Sequence, residues 1–107
     1  MSDETMAFFW ELAEPLLAEE SIVKGTMMGF PCLRVNGEFF ASVERKTGNL
    51  IVKLPATRVL DLIETEVGNP FAPAGRRFKE WASIPNRDAA LWQQLINDAR
   101  AFVEGNL

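Results

Sequence analysis

The 107-residue chain contains no histidine, no tyrosine and a single cysteine, Cys32. Without histidine the commonest general base and transition-metal ligand is missing, and neither a Ser-His-Asp nor a Cys-His arrangement can be assembled from this chain alone. One cysteine permits no intramolecular disulfide, and zinc sites ordinarily take several Cys or His ligands. No GxxxxGK[ST] or GxGxxG pattern occurs, so Gly25, Gly29, Gly37 and Gly48 do not build a phosphate loop. No uninterrupted apolar run approaches the ~20 residues that span a bilayer. The start, Met-Ser-Asp-Glu-Thr, is acidic where a secretory signal is basic. These absences lead us to expect a cytoplasmic protein that is not an enzyme, holds no metal or cofactor and does not enter a membrane.

What is present is an ordinary globular balance of 48% hydrophobic and 24% charged residues, which argues against disorder. The length suits one domain over residues 1–107, with one modest core. Net charge is −4 but unevenly spread: residues 1–23 carry six acids and no base, and residues 24–60 carry six bases and two acids. Arg76, Arg77, Lys79 and Arg87 then stand against Glu80 alone over residues 76–87. The overall acidity disfavours nucleic acid, whose non-specific binding needs a concentrated positive field.

Hydrophobic spacing predicts a helix over 3–19, with Met6, Phe9, Trp10, Ala13, Leu16 and Leu17 on one stripe. Ser2 is its expected N-cap, and Pro15 is expected to kink or break it. Strands are expected over 22–28, 30–35, 38–44 and 49–54. Asn36-Gly37 between the second and third is a strong hairpin signal, because a type I′ turn needs positive φ at both central residues. A second helix is expected over 55–67, with Val59, Leu60, Ile63 and Val67 buried and Gly68 as its C′ residue. A loop over 69–78 and a short strand over 80–84 follow. The last helix is expected over 87–104, capped by Asn86 and buried through Trp92, Leu95, Ile96, Ala99, Phe102 and Val103. The order α-β-β-β-β-α-β-α predicts a two-layer α+β fold, an antiparallel sheet of about five strands with helices on one face.

Extending the two-residue turn regularly sets Val35 opposite Glu38, Arg34 opposite Phe39, Leu33 opposite Phe40 and Cys32 opposite Ala41. Leu33, Val35 and Phe40 then share one face, and Phe30, Cys32, Arg34, Phe39, Ala41 and Val43 the other. Leu50, Val52 and Leu54 oppose Ile51 and Lys53, and Ala82 and Ile84 oppose Trp81 and Ser83. Apolar residues on both faces predict a cover for the face without helices: the 69–78 loop and first helix, or a partner, above all a second copy in a homodimer.

Cys32 is expected to be a small buried hydrophobe; as a nucleophile it would need a positive neighbour such as Arg34. The pairs Glu11/Glu14 and Asp61/Glu64 are expected on solvated helix faces. The segment Gly75-Arg76-Arg77-Phe78-Lys79-Glu80-Trp81 is the best local binding candidate: arginine holds carboxylate or phosphate, and tryptophan stacks or anchors. The competing reading is a basic loop that balances the acidic helices, with Trp81 packed inward. The candidate interaction surface comprises Arg34, Phe39, Lys53, Arg76, Arg77, Lys79 and Trp81. Its partner is expected to be a protein or a second copy; the alternative is a small molecule or anion held around residues 76–81.

Met27 to Ala41 resembles the opening strands of TfoX/Sxy N-terminal-like domains, with Phe30-Pro31 where a second glycine is usual. Leu50-Ile51-Val52-Lys53-Leu54-Pro55 resembles their strand-to-helix junction, Gly68-Asn69-Pro70-Phe71 the glycine and "PF" after their central helix, and Gly75 to Trp81 their glycine, lysine and aromatic segment. The resemblance covers about residues 4–104. It implies an α+β fold akin to the YjbR and secretion-chaperone-like groups. It also implies a bacterial-type regulatory or protein-binding module, in a family whose better-known members regulate natural competence and whose motif carries no catalytic residues.

Overall fold

The computed structural model describes residues 3–27, 30–44 and 46–105. Helix α1 (Asp3–Leu17) leads into strands β1 (Ile22–Met27), β2 (Phe30–Val35), β3 (Glu38–Val43) and β4 (Leu50–Lys53). Helix α2 (Ala56–Glu64), strand β5 (Asn69–Phe71), a 3-10 turn (Pro73–Gly75), strand β6 (Phe78–Ile84) and helix α3 (Ala89–Gly105) complete the chain. All strand pairs are antiparallel, in the order β1-β2-β3-β4-β6-β5. The α+β class and the single helical layer are as expected from the sequence. Among the described residues, no helix is long and apolar enough to cross a membrane.

One core joins the sheet to all three helices. Phe9, Ala13 and Leu16 of α1, Val59 and Leu62 of α2, and Trp92, Leu95, Ile96, Ala99 and Val103 of α3 meet Leu33, Val35, Leu50, Val52, Ala82 and Ile84. Trp92, Phe9 and Phe40 are the largest fully buried side chains, each worth about 1.5–3 kcal/mol of burial. The Trp92 indole N–H is not left unpaired: it donates to the Asn86 carbonyl at 2.8 Å, as a buried polar tip requires.

The β2–β3 turn is the one the sequence announces, with φ of 51° at Asn36 and 85° at Gly37. Beyond it the register departs from regular extension. Val35 pairs with Glu38 and Arg34 with Phe39, but Leu33 then pairs with Ala41 and Cys32 with Ser42. The shift is a β-bulge that takes up one extra residue of β3. It lets the consecutive residues Phe40 and Ala41, and then Val43, all enter the helix-side core. Ala41 and Val43, expected on the other face, therefore lie in the core, and Ser42 takes the outer position instead.

Other boundaries move for local reasons. Helix α1 runs through the exposed Pro15 and ends two residues later, at Leu17; Ser2 lies outside the described residues, as do Met28 and any extension of β1 into it. Helix α2 stops before Gly68. Glu66 takes the left-handed conformation (φ 62°), Val67 N–H bonds to Leu62 O at 3.0 Å, and Glu66 N–H bonds to Ile63 O at 3.1 Å, a Schellman ending with Glu66 at C′. Asp88 rather than Asn86 caps α3, its Oδ1 accepting from Leu91 N–H at 3.0 Å. Residues 69–78, expected as loop, supply β5 and the 3-10 turn, and β6 begins at Phe78. Pro70 is tolerated because β5 is an edge strand, where a missing N–H breaks no ladder.

Candidate functional site

Directly opposed residues of an antiparallel pair share a face, so the registers define rows across the outer surface of the sheet. One row runs Gly25, Cys32, Ser42, Ile51, Ser83 and Asn69. Its centre is closed: Cys32, Ser42 and Ile51 are fully buried and Ser83 nearly so. Ser42 Oγ donates to the Pro31 carbonyl at 2.6 Å, and Asn49 Nδ2 donates to Ser83 Oγ at 2.9 Å. The centre of the outer face is thus closed, while Val23, opposite Arg34 on the same face, is 43% exposed. Cys32 is a buried hydrophobe, as expected. Burial pushes its thiol pKa up, while Arg34 and a Gly25 backbone hydrogen bond act in the opposite direction.

The next row carries the candidate residues. Arg34 pairs with Phe39 and Lys53 with Trp81. Arg34 stacks its guanidinium on Phe39, with Cζ 5.5 Å from the ring centroid. That pair stands apart from the other five candidates, which meet around one groove.

The groove has a volume of about 380 Å³ and is lined by Lys53, Arg76, Arg77, Phe78, Lys79, Glu80 and Trp81. Two elements position it. The β4–β6 ladder sets Lys53 beside Trp81, and the 3-10 turn delivers Arg76, whose Cζ lies 5.5 Å from the Phe78 ring centroid. Phe71, from β5, supports the aromatic wall at 6.0 Å from Phe78 and 6.4 Å from Trp81. Trp81 is half-buried, so the inward-packing and ligand-facing readings each describe part of it. Arg76, Arg77 and Lys79 are exposed. Among the described residues, the ion pairs within 4.0 Å are made by Arg58 and Arg100, not by any of the four groove cations.

A second hollow of about 230 Å³ is lined by Ala56, Leu60, Arg77 and Lys79. Leu60 was expected in the buried stripe of α2 but is 50% exposed, while Leu62 is buried in its place. Phe78, Glu80, Ala56 and Leu60 are the lining residues that sequence reasoning left out. Phe78 and Glu80 lay inside the flagged segment; the phase of α2 hid Ala56 and Leu60. The carboxylate pairs Glu11/Glu14 and Asp61/Glu64 are exposed, on solvated surfaces as expected.

The arrangement can hold an anion and stack a planar or apolar group. No family model, no curated protein and no solved structure matches the chain.

Proposed function

We propose that this chain is a non-enzymatic binding or regulatory module of the TfoX N-terminal-like type, working through the basic, aromatic-lined groove beside Trp81. The groove holds carboxylate or phosphate groups of a protein partner. One observation carries the reading: Lys53, Arg76, Arg77 and Lys79 line a single hollow with Phe78, Trp81 and one acid, Glu80, and among the described residues none of the four has a carboxylate within 4.0 Å. Like charges gathered without partners cost energy in the free protein, and an anionic ligand relieves that cost.

The exposed cationic rim favours a macromolecular segment over a small molecule, since small ligands are ordinarily enclosed over most of their surface. A small anion is the second reading, supported by the same cations. The net charge of −4 disfavours nucleic acid.

Amide-resolved NMR titration with citrate tests the groove itself. Shift changes should concentrate at Lys53, residues 76–81 and the Trp81 indole, weaken with added salt, and vanish in the Arg76→Glu, Arg77→Glu double variant. Changes scattered over the surface, or unaltered by charge reversal, would refute the reading.

A further inference from the structure

We infer that the partner is an acidic segment carrying an aliphatic side chain, which seats against Leu60 on the far side of the Arg77–Lys79 strip. The inference rests on the groove being the binding surface and adds the source of its specificity. Arg77 and Lys79 line both the 380 Å³ groove and the 230 Å³ hollow, so the two cavities share a wall made of two cations. A ligand whose carboxylate is held by that wall has its neighbouring groups placed over either side.

The hollow is suited to an apolar group. Ala56 and Leu60 supply its apolar wall, and arginine and lysine add their methylene stems while their charged heads stay in water. A cavity of about 150 Å³ takes up a benzene ring, so 230 Å³ leaves room for one branched aliphatic side chain. Leu60 is 50% exposed, and the core does not explain it: Val59 and Leu62 are the buried residues of α2. Charge complementarity selects the rest of the ligand, because four cations line the groove with a single acid, Glu80. A nucleic-acid strand would satisfy the cations but bring no aliphatic group to Leu60.

Fluorescence anisotropy with labelled ten-residue probes tests this. Two peptides alternate Asp, Glu and Ser around a central Leu or a central Ala; a uridine-rich RNA is the third probe. The intact chain should bind the Leu peptide about tenfold tighter than the Ala peptide. Leu60→Gln, a change at an exposed helix position, should erase that preference and leave the Ala peptide unchanged. Charge reversal at Arg76 and Arg77 should weaken both peptides at least about tenfold. Equal affinity for the two peptides, or no binding of either, would overturn the aliphatic seat; the citrate titration then decides the groove separately. Peptide binding indifferent to charge reversal would overturn both readings. RNA bound more tightly than the Leu peptide, and lost on charge reversal, would overturn the class of partner.

Discussion

The side chain of Arg34 lies across Gly25 on the neighbouring strand: a β-carbon at Gly25 would stand 2.8 Å from Arg34 Nε. That Nε is buried without a hydrogen-bond partner among the described residues, and the guanidinium rests on Phe39. The clash is with the guanidinium end of the arginine, and that end is held by its burial and by its contact with Phe39. Gly25→Ala should therefore cost about 1–2 kcal/mol, the range for overpacking. With Arg34→Ala in place the same change should become neutral or gain up to about 1 kcal/mol, since alanine loses less backbone freedom than glycine. A double-mutant cycle by urea denaturation should show coupling above about 1 kcal/mol; simple additivity would mean that Arg34 moves aside freely.

Cys32 gives a pH dependence whose sign can be worked out. Burial raises its folded-state pKa above the ordinary 9.0. The folded chain then keeps the proton over a range where the unfolded chain has lost it. The contribution is present in full below pH 9 and declines as pH rises beyond it. Cys32→Ala lacks this component. The stability difference between parent and variant should shift against the parent between neutral pH and pH 10. Denaturation at several pH values checks it, and a constant difference would show that the thiol ionises freely in the folded state.

Arg100 ties α3 to the turn after α1. Its Nη1 donates to Glu19 Oε2 at 2.7 Å and its Nη2 to the other oxygen of the same carboxylate, while Glu104 lies 3.4 Å away. Both oxygens are engaged, so the fork matters as well as the charge. The Glu19 side chain is 44% exposed, and solvent screening holds the expected loss in Arg100→Ala to about 0.5–1 kcal/mol. Arg100→Lys keeps the charge and should still lose most of that. Measurement in molar salt should shrink the difference; a loss untouched by salt would point to the packing of the arginine stem instead.

Glu66 occupies a conformation that glycine adopts without penalty (φ 62°). Both bonds of the α2 ending are made by backbone atoms, and Glu66 is exposed. Glu66→Gly should keep those bonds, remove the strain and stabilise the chain by about 0.5–1 kcal/mol. A thermal or urea midpoint that falls would mean the glutamate side chain contributes more than its backbone strain costs.

The fold class, the Asn36-Gly37 turn and the buried faces of α1 and α3 were legible because each is fixed by local chemistry or by helical spacing. The bulge in β3 was not. Phe39-Phe40-Ala41 is apolar throughout, so either register reads the same, and only packing against the helices decides that Phe40 and Ala41 both enter the core. Strand β5 was hidden because Asn69-Pro70-Phe71 reads as a break unless it is known to lie at the sheet edge. Within the site, the cations and Trp81 stood out in one short motif, and the alternation of β4 and β6 brought Lys53 to them. Arg34 and Phe39 were assigned to the same surface, and the structure sets them apart as a pair of their own. Leu60 was misplaced because Val59-Leu60 offers two phases for one helical stripe; Leu62, which settles the phase, makes its contacts with elements distant in sequence.

The groove gathers more positive charge than folding needs, and this has a measurable consequence. Lys53, Arg76, Arg77 and Lys79 line one hollow with Glu80 as the opposing charge, so each cation is repelled by its neighbours at low ionic strength. Arg77 is exposed and touches both cavities. Arg77→Glu should therefore raise the unfolding midpoint by about 2 °C at low salt. The gain should fade as salt screens the cluster over its ~10 Å Debye length at 0.1 M. The same variant should lose citrate binding. Stability and binding would then move in opposite directions on one substitution, the pattern of a surface kept for a ligand at some cost to the fold. A midpoint that falls, with salt making no difference, would show that Arg77 holds the β6 segment in place and that the cluster is structural.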